Sequence, residues 1–197
     1  KKIKLQILKL KKKGFKVSSL DLGGGVGIKY NDKNKILDIK SYARIIDELF
    51  SDLDLEIIIE PGRYLVGSSG IILSRVIRTK SGNNKDFVII DAGMDNLIRP
   101  ALYGAEHKIL PVKKKTQTNL NVYDIVGPIC ESSDVFIKKM KIHRLKAEDL
   151  IVICSTGAYG SCMASKYNLR EPAKEIFIKK KKKLFFQIID YERNSFS

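Results

Sequence analysis

The spacing of apolar residues predicts alternating helices and strands in the first third of the chain. A basic amphipathic stretch ending at Lys13 predicts a helix, and apolar runs predict strands at 17–22 and 55–60. Between the strands, a helix at 39–50 is predicted, with Asp38 as its cap. Its apolar residues recur at the spacing of one buried face: Tyr42, Ile45, Ile46, Leu49 and Phe50. The strand, helix, strand order predicts parallel strands covered on both faces.

After residue 63 the pattern changes to short segments separated by turn residues, which predicts an all-β region. The predicted strands are 70–78, 86–91, 108–112, 119–127, 149–155, 175–178 and 184–189. Residues 81–84 predict a hairpin turn, and the lysine run at 179–183 predicts another. We therefore predict two domains, an α/β unit over residues 1–63 and a β-rich unit over residues 64–197.

Composition and charge narrow the classes of function. The net charge of +15 on 197 residues permits nucleic-acid binding, but the excess lysine lies in short runs without interleaved aromatic residues. We expect these runs to be solvated loops, and no specific nucleic-acid partner. A basic nucleic-acid binder remains an alternative, which only salt-resistant, specific binding would support.

Three cysteines, Cys130, Cys154 and Cys162, are an odd number without CxxC spacing. They predict reduced thiols and a cytoplasmic protein. No apolar stretch approaches the roughly 20 residues that cross a bilayer, so we expect no membrane partner. His107 and His143 lie apart from each other and from the cysteines, which predicts no metal site.

Each strand predicted in the first domain is followed by a glycine-bearing loop. The two loops are Gly23-Gly24-Gly25 and Glu60-Pro61-Gly62-Arg63. Backbone N–H groups in such loops can reach a phosphate, and the second loop adds a carboxylate and a guanidinium. The pair predicts a phosphorylated cofactor, although glycines can also serve only as tight turns.

Further motifs follow in order along the chain. They are Asp91-Ala92-Gly93, Arg99-Pro100-Ala101-Leu102-Tyr103-Gly104-Ala105, Gly127-Pro128-Ile129-Cys130-Glu131-Ser132 and Gly157-Ala158-Tyr159-Gly160. Together with the glycine loops, they resemble the C-terminal two thirds of the diaminopimelate decarboxylase family, from about Gly14 to Tyr191. The resemblance implies the last two βα units of a pyridoxal-phosphate-binding barrel of the TIM type, followed by a C-terminal β-sandwich or Greek-key-like domain.

The resemblance also implies a cofactor, pyridoxal 5'-phosphate, and residues that hold it: Gly23, Gly24, Gly25, Glu60, Pro61, Gly62, Arg63 and Tyr159. Glu60 would keep the pyridine nitrogen protonated, so that the ring accepts the electrons left by departing CO2. Arg63, Arg99 and Tyr103 would hold the carboxylates of the substrate, since a guanidinium accepts a carboxylate through two hydrogen bonds. Pro100 predicts an irregular loop around Arg99, and the turn at Tyr159 predicts the start of a helix.

Cys130 and Glu131 form the pair that the family resemblance places in a partner's active site, within a homodimer. Cys130 would be the catalytic proton donor, because a thiol is mostly protonated near neutral pH. Glu131 would bind the far ammonium of the substrate, meso-diaminopimelate, and Tyr159 would contact both the phosphate and the substrate. We expect Cys154 and Cys162 to be small buried residues.

The overall expectation is a fragment of an enzyme that decarboxylates meso-diaminopimelate to L-lysine. The Schiff-base lysine of such enzymes lies in earlier barrel strands, and no lysine of this chain can be assigned its role. Two alternatives stay open: a related ornithine, arginine or carboxynorspermidine decarboxylase, and an inactive remnant that acts as a dimerisation module.

Overall fold

The computed structural model describes residues 1–31, 36–113, 119–180 and 186–190, the last five and residues 179–180 by their backbone alone. Its first elements are α1 (Lys2–Lys12), β1 (Ser19–Asp21), α2 (Ile39–Phe50), β2 (Glu56–Ile58) and α3 (Gly62–Val66). β1 and β2 pair in parallel, with Leu20 opposite Ile57. The strand, helix, strand order and the parallel pairing are confirmed.

A small core lies between these first elements. It contains Ile7, Phe50 and Leu53, with partly buried Leu20, Leu22, Ile46, Leu49 and Ile57 around them. Asp38 caps α2 by accepting hydrogen bonds from the backbone N–H groups of Lys40 and Ser41, as predicted. The described residues leave one strand face uncovered, because Ile58 and Ile59 are exposed. Ile45 of α2, predicted on the buried face, is exposed as well.

The rest of the described chain is mostly β-structure. Its elements are β3 (Ile72–Ser81), β4 (Asp86–Ile90), α4 (Arg99–Tyr103), β5 (Ile109–Pro111), β6 (Leu120–Val126), β7 (Val135–His143), β8 (Leu150–Ile153), β9 (Ile176–Lys180) and β10 (Phe186–Asp190). Six strands form one mixed sheet in the order β5-β8-β3-β4-β6-β7, and β9 pairs with β10 alone. The predicted sandwich is therefore corrected to one curled sheet.

Strand β3 connects the two halves of this sheet. Its first half pairs with β8, from Ile72 opposite Ile153, and its second half pairs with β4. The register shifts between Val76 and Arg78, which lets the strand bend from one set of partners to the other. The curled sheet encloses the main core, whose fully buried members are Val76, Val88, Ile90, Leu97, Ile125, Ile151 and Ile153.

Strand β7 was absent from the sequence prediction. It contains a bulge, in which Lys138 and Lys139 lie opposite the single residue Asp124 of β6. Lys139 has a positive φ of 53°, and its N–H donates to the Asp124 carboxylate at 2.8 Å. The two adjacent lysines interrupt the alternation of apolar residues, so the period of a strand is hidden.

Two turns show what local chemistry does and does not predict. The hairpin turn between β3 and β4 is confirmed, with Gly82 N–H donating to Lys85 O at 3.0 Å. The irregular loop at Arg99 is wrong: α4 begins there, and Pro100 lies in its first turn, where no intrahelical N–H is needed. Of the turn predicted at 179–183, residues 181–183 lie outside the described residues. Among the described helices, none is long and apolar enough to cross a membrane.

Candidate functional site

The two glycine-bearing loops lie side by side at the carboxyl ends of β1 and β2. Parallel strands carry their following loops to the same edge, and here Glu60 N–H donates to Gly23 O at 2.9 Å. A Cβ on Gly24 would lie 2.6 Å from the Glu60 carbonyl oxygen. Glycine is therefore required at position 24 for the two backbones to approach this closely.

The Gly23-Gly24-Gly25 loop presents unused backbone donors. Gly23 and Gly25 have φ values of +69° and +84°, which other residues rarely adopt. Gly23 N–H donates to the Asp21 carboxylate at 2.7 Å, but in the described part of the chain the N–H groups of Gly24 and Gly25 donate to no protein acceptor. Both residues are exposed. Two such donors side by side can bind an anion.

Tyr159 lies between two guanidinium groups. The Cζ atoms of Arg63 and Arg99 lie 5.6 and 5.9 Å from the centre of its ring, within the range of cation–π contacts. Tyr159 has a φ of +62°, and its loop is held to the turn after α3 by Gly157 N–H donating to Gly67 O. A short 3-10 turn, Ser161–Met163, follows in place of an α-helix, so the helix predicted there is wrong.

Arg99 is a buried cation without a carboxylate partner. Its exposed fraction is 6%, and its Cζ also lies 4.6 Å from the Tyr30 ring centre. Its guanidinium donates to His107 Nε2 at 3.0 Å. Among the described residues, no Asp or Glu forms an ion pair with it. A buried charge is normally paired, so this guanidinium has the electrostatics of an anion-binding group.

His107 is a buried histidine that contacts Arg99 and Tyr30 of the site. Its Nδ1 lies 2.9 Å from Cys154 O, and its ring meets that of Tyr30 edge to face at 4.7 Å. Burial lowers the pKa of His107 below its ordinary value of 6.5, and the nearby charge of Arg99 lowers it further. The imidazole is therefore neutral near neutral pH.

The loop that carries Cys130 and Glu131 is fixed by Asp134. One carboxylate oxygen of Asp134 accepts from Ile129 N–H and the other from Met94 N–H, both at 2.8 Å. Burial raises the pKa of Asp134 despite these two hydrogen bonds. Cys130 and Glu131 themselves are exposed. Asp134 thus joins the Cys130 loop to the loop that precedes Arg99.

The structure brings some of the predicted site residues together and leaves others apart. The backbones of Gly23 and Gly24 contact the backbone of Glu60. The guanidinium groups of Arg63 and Arg99 contact the ring of Tyr159. Gly62 N–H donates a hydrogen bond to Glu60 O at 2.9 Å, so the loop turns tightly after β2. Glu60 is exposed and, within the described ranges, forms no ion pair with Arg63.

Other predicted residues are not joined to this group by polar or ring contacts. Tyr103 is 65% exposed, and among the described residues no hydrogen bond, ion pair or cation–π contact joins it, Cys130 or Glu131 to Tyr159. Cys162 is exposed, which corrects the expectation that it is buried. The sequence reasoning missed Tyr30 and Asp134. Asp134 is the last residue of the sequence Cys130-Glu131-Ser132-Ser133-Asp134. A carboxylate so close to Cys130 and Glu131 was the signal that could have identified it.

Comparison with known proteins identifies the class. The family described as "Pyridoxal-dependent decarboxylase, C-terminal sheet domain" matches residues 21–157, more than half of the chain. The chain belongs to this family of pyridoxal-dependent decarboxylases.

The most similar relatives include diaminopimelate decarboxylases. That of Neisseria meningitidis serogroup B is 46% identical over 165 residues, covering 84% of this chain and 39% of the enzyme. That of Aquifex aeolicus is 40% identical over 169 residues, covering 86% and 40%. A crystal structure of the Helicobacter pylori enzyme complexed with L-lysine superposes with a TM-score of 0.84 at 37% identity, covering 95% of this chain and 45% of that one. The chain spans about two fifths of the curated relatives' length, not the expected two thirds.

The lowered pKa of His107 predicts a pH dependence of stability. Since the folded state favours the neutral ring, its contribution is fully present above about pH 6.5 and is lost as pH falls through the lowered folded-state pKa. The free energy of unfolding of the wild type, minus that of His107→Gln, should therefore shrink as pH falls below about 6.5. Urea unfolding of both chains at several pH values measures this difference. Because both chains contain His143, its contribution to the free energy of unfolding does not enter the difference. A difference that stays constant or grows would contradict the prediction.

Proposed function

We propose that this chain supplies part of the active site of a pyridoxal-phosphate-dependent decarboxylase that converts meso-diaminopimelate to L-lysine and CO2. The observation that carries the proposal is the buried, unneutralised guanidinium of Arg99, stacked with Arg63 on Tyr159. Two guanidinium groups on one aromatic ring suit a substrate with more than one carboxylate. The relatives named diaminopimelate decarboxylase support this choice over an ornithine or arginine decarboxylase.

The first part of the chain fits the phosphate of the cofactor. In this proposal β1, α2 and β2 are the last two βα units of a TIM-type barrel within residues 1–63, and residues 64–197 are the β-rich domain. The free N–H groups of Gly24 and Gly25 would bind the phosphate beside the Pro61-Gly62-Arg63 turn. Loops that follow the last strands of such barrels commonly hold a phosphate.

Pyridoxal phosphate, when bound, supplies an electron sink for the bond that breaks. Glu60 would hold the pyridine nitrogen in its protonated form, and its carboxylate is exposed at the loop where the two strands end. Arg63, Arg99, Tyr103 and Tyr159 would orient the substrate through its carboxylates. The C–C bond to the leaving carboxylate breaks, and its electron pair remains on the carbon that loses CO2.

Cys130 would deliver the proton to that carbon, and its thiolate would regain a proton from water. Glu131 would pair with the ammonium group at the far end of the substrate. Both residues are exposed, and among the described residues they form no hydrogen bond, ion pair or cation–π contact with Arg63, Tyr159 or Arg99, which supports their action in the site of a second subunit. We therefore propose a homodimer with shared active sites.

Gly24→Ala tests the phosphate loop. Its Cβ would lie 2.6 Å from the Glu60 carbonyl oxygen and push the two loops apart. The affinity for pyridoxal phosphate, measured by equilibrium dialysis, should fall by about tenfold or more, equivalent to about 1.4 kcal/mol. Gly27→Ala is the matched control, because its Cβ would meet open space at an ordinary φ. Equal affinity of Gly24→Ala and wild type, or no binding by the wild type, would contradict the assignment.

A chimaera tests the substrate. In the Neisseria meningitidis serogroup B enzyme, the 165 matched residues are replaced by those of this chain, and CO2 release from meso-diaminopimelate, ornithine and arginine is compared. We expect meso-diaminopimelate to be preferred. Arg99→Gln should lower kcat/KM for it by on the order of 10²-fold, because a charge pair of about 2–5 kcal/mol is lost, and lower that for ornithine less.

Arg44→Gln, an exposed arginine on α2, is the matched control and should leave both substrates unaffected. Preference for ornithine or arginine would support the related decarboxylases instead. An Arg99→Gln loss that is equal for meso-diaminopimelate and ornithine would remove Arg99 from recognition of the second carboxylate.

Mixing of inactive variants tests the shared site. In the same chimaera, Cys130→Ala and Arg99→Gln homodimers should each be nearly inactive. If each site takes Cys130 from one subunit and Arg99 from the other, random exchange restores about a quarter of the sites. Activity measured after mixing and re-association should rise to that level. Activity that does not rise above the two separate variants would place Cys130 and Arg99 on the same subunit's site.

A further inference from the structure

The environment of Arg99 raises the question of what orients a buried guanidinium without neutralising it. Within the described residues, the group makes cation–π contacts with the rings of Tyr30 and Tyr159 and a hydrogen bond with the imidazole of His107. Aromatic rings attract the cation but do not fix its rotation. In the described part of the chain, His107 supplies the only hydrogen-bond acceptor for the Arg99 side chain.

The hydrogen-bond partners determine the tautomer of His107. Arginine can only donate, so Nε2 of His107 must be the bare, accepting nitrogen. The Cys154 carbonyl can only accept, so Nδ1 must carry the proton. A doubly protonated ring would direct its Nε2–H at the Arg99 N–H and set two cations against each other. The geometry is therefore compatible only with a neutral ring.

The ring is held in place by the sheet. His107 precedes β5 and Cys154 follows β8, and the backbone joins them through Cys154 N–H donating to Lys108 O at 2.8 Å. The side chain of His107 is 2% exposed, so neither partner exchanges readily with water. Lys108 N–H also donates to Tyr30 O. This hydrogen bond holds the backbone of Tyr30, whose ring packs on both His107 and Arg99.

We propose that His107 is a positioning residue for Arg99, a neutral hydrogen-bond acceptor that fixes the guanidinium and leaves its full charge for a carboxylate of the ligand. The inference rests on the proposed function of Arg99. An Asp or Glu in the place of His107 would orient the guanidinium equally well, but its carboxylate would neutralise the positive charge of Arg99. The neutral imidazole orients the guanidinium and leaves that charge available.

The matched pair His107→Gln and His107→Glu tests this, because the two side chains have the same shape and differ in charge. Binding of meso-diaminopimelate to the full chain, in the presence of pyridoxal phosphate, is measured by calorimetry, and thermal stability is measured alongside. His107→Gln keeps a neutral acceptor and should bind within about threefold of the wild type. His107→Glu should bind at least about tenfold more weakly, yet be no less stable than His107→Gln, because its carboxylate pairs with Arg99.

A purely structural role would make affinity follow stability in the two variants, and that result would overturn the inference. Equal affinities of the Gln and Glu variants would do the same. Arg99→Gln separates the two proposals: if the wild type binds no more tightly than Arg99→Gln, the proposed function of Arg99 fails, and the role of His107 falls with it.

The tautomer supplies an independent test without ligand. In the chain labelled with ¹⁵N-histidine, only two imidazoles contribute signals, since the sequence has two histidines. His107 should show a protonated Nδ1 and a bare Nε2 at neutral pH, and His107→Gln assigns its signals. A protonated Nε2 on His107 would overturn the inference whatever the binding data show.

Discussion

The arrangement of the candidate site depends on one buried cation, the guanidinium of Arg99. It contacts Tyr30 from the first part of the chain, His107 from the segment before β5, and Tyr159 from the loop after β8. Three segments that are distant in sequence therefore pack around one charge. Burial of a charge costs free energy unless it is compensated, and the partners here compensate it only with neutral groups. Among the described residues, the site therefore holds a buried positive charge that no carboxylate neutralises.

Two carboxylates, those of Asp134 and Asp95, hold the surrounding loops in place through hydrogen bonds and an ion pair. Asp134 accepts a hydrogen bond from Ile129 N–H with one oxygen and from Met94 N–H with the other, which links the Cys130 loop to the loop that leads to Arg99. Asp95, also in that loop, pairs with Arg170 at 3.0 Å. Arg170 in turn donates to the Asp91 carbonyl. Backbone segments without regular structure are thereby held by side chains, as buried polar backbone groups require.

Much of the fold could be predicted from the sequence because each strand has a local signal. Alternating apolar residues gave the strands from β3 to β6 and β8, and Asp38 gave the start of α2. Strand β7 escaped because the bulge at Lys139 places two lysines together, and its acceptor, Asp124, lies on a different strand. The start of α4 escaped because Pro100 ends a helix in its interior but is tolerated in its first turn.

The site was less predictable, since its contacts are long-range. The glycine loops and Tyr159 were identifiable as motifs, but nothing in the spacing of Arg99 and His107 shows that the turn of α4 and the left-handed Gly104 bring them to 3.0 Å. The role of Asp134 likewise needs Met94, which lies 40 residues earlier. Pairings of this kind are set by how the sheet curls, and local pattern contains little information about that.

The positive φ of Tyr159 also constrains how this loop can evolve. A non-glycine residue at φ +62° is strained by roughly 1–3 kcal/mol, and glycine or asparagine would relieve that strain. Drift toward a more stable loop would therefore remove the aromatic surface between Arg63 and Arg99. Under the proposed function, selection for a more stable fold and selection for ligand recognition therefore favour different residues at position 159, and an engineer who seeks thermostability would leave Tyr159 unchanged.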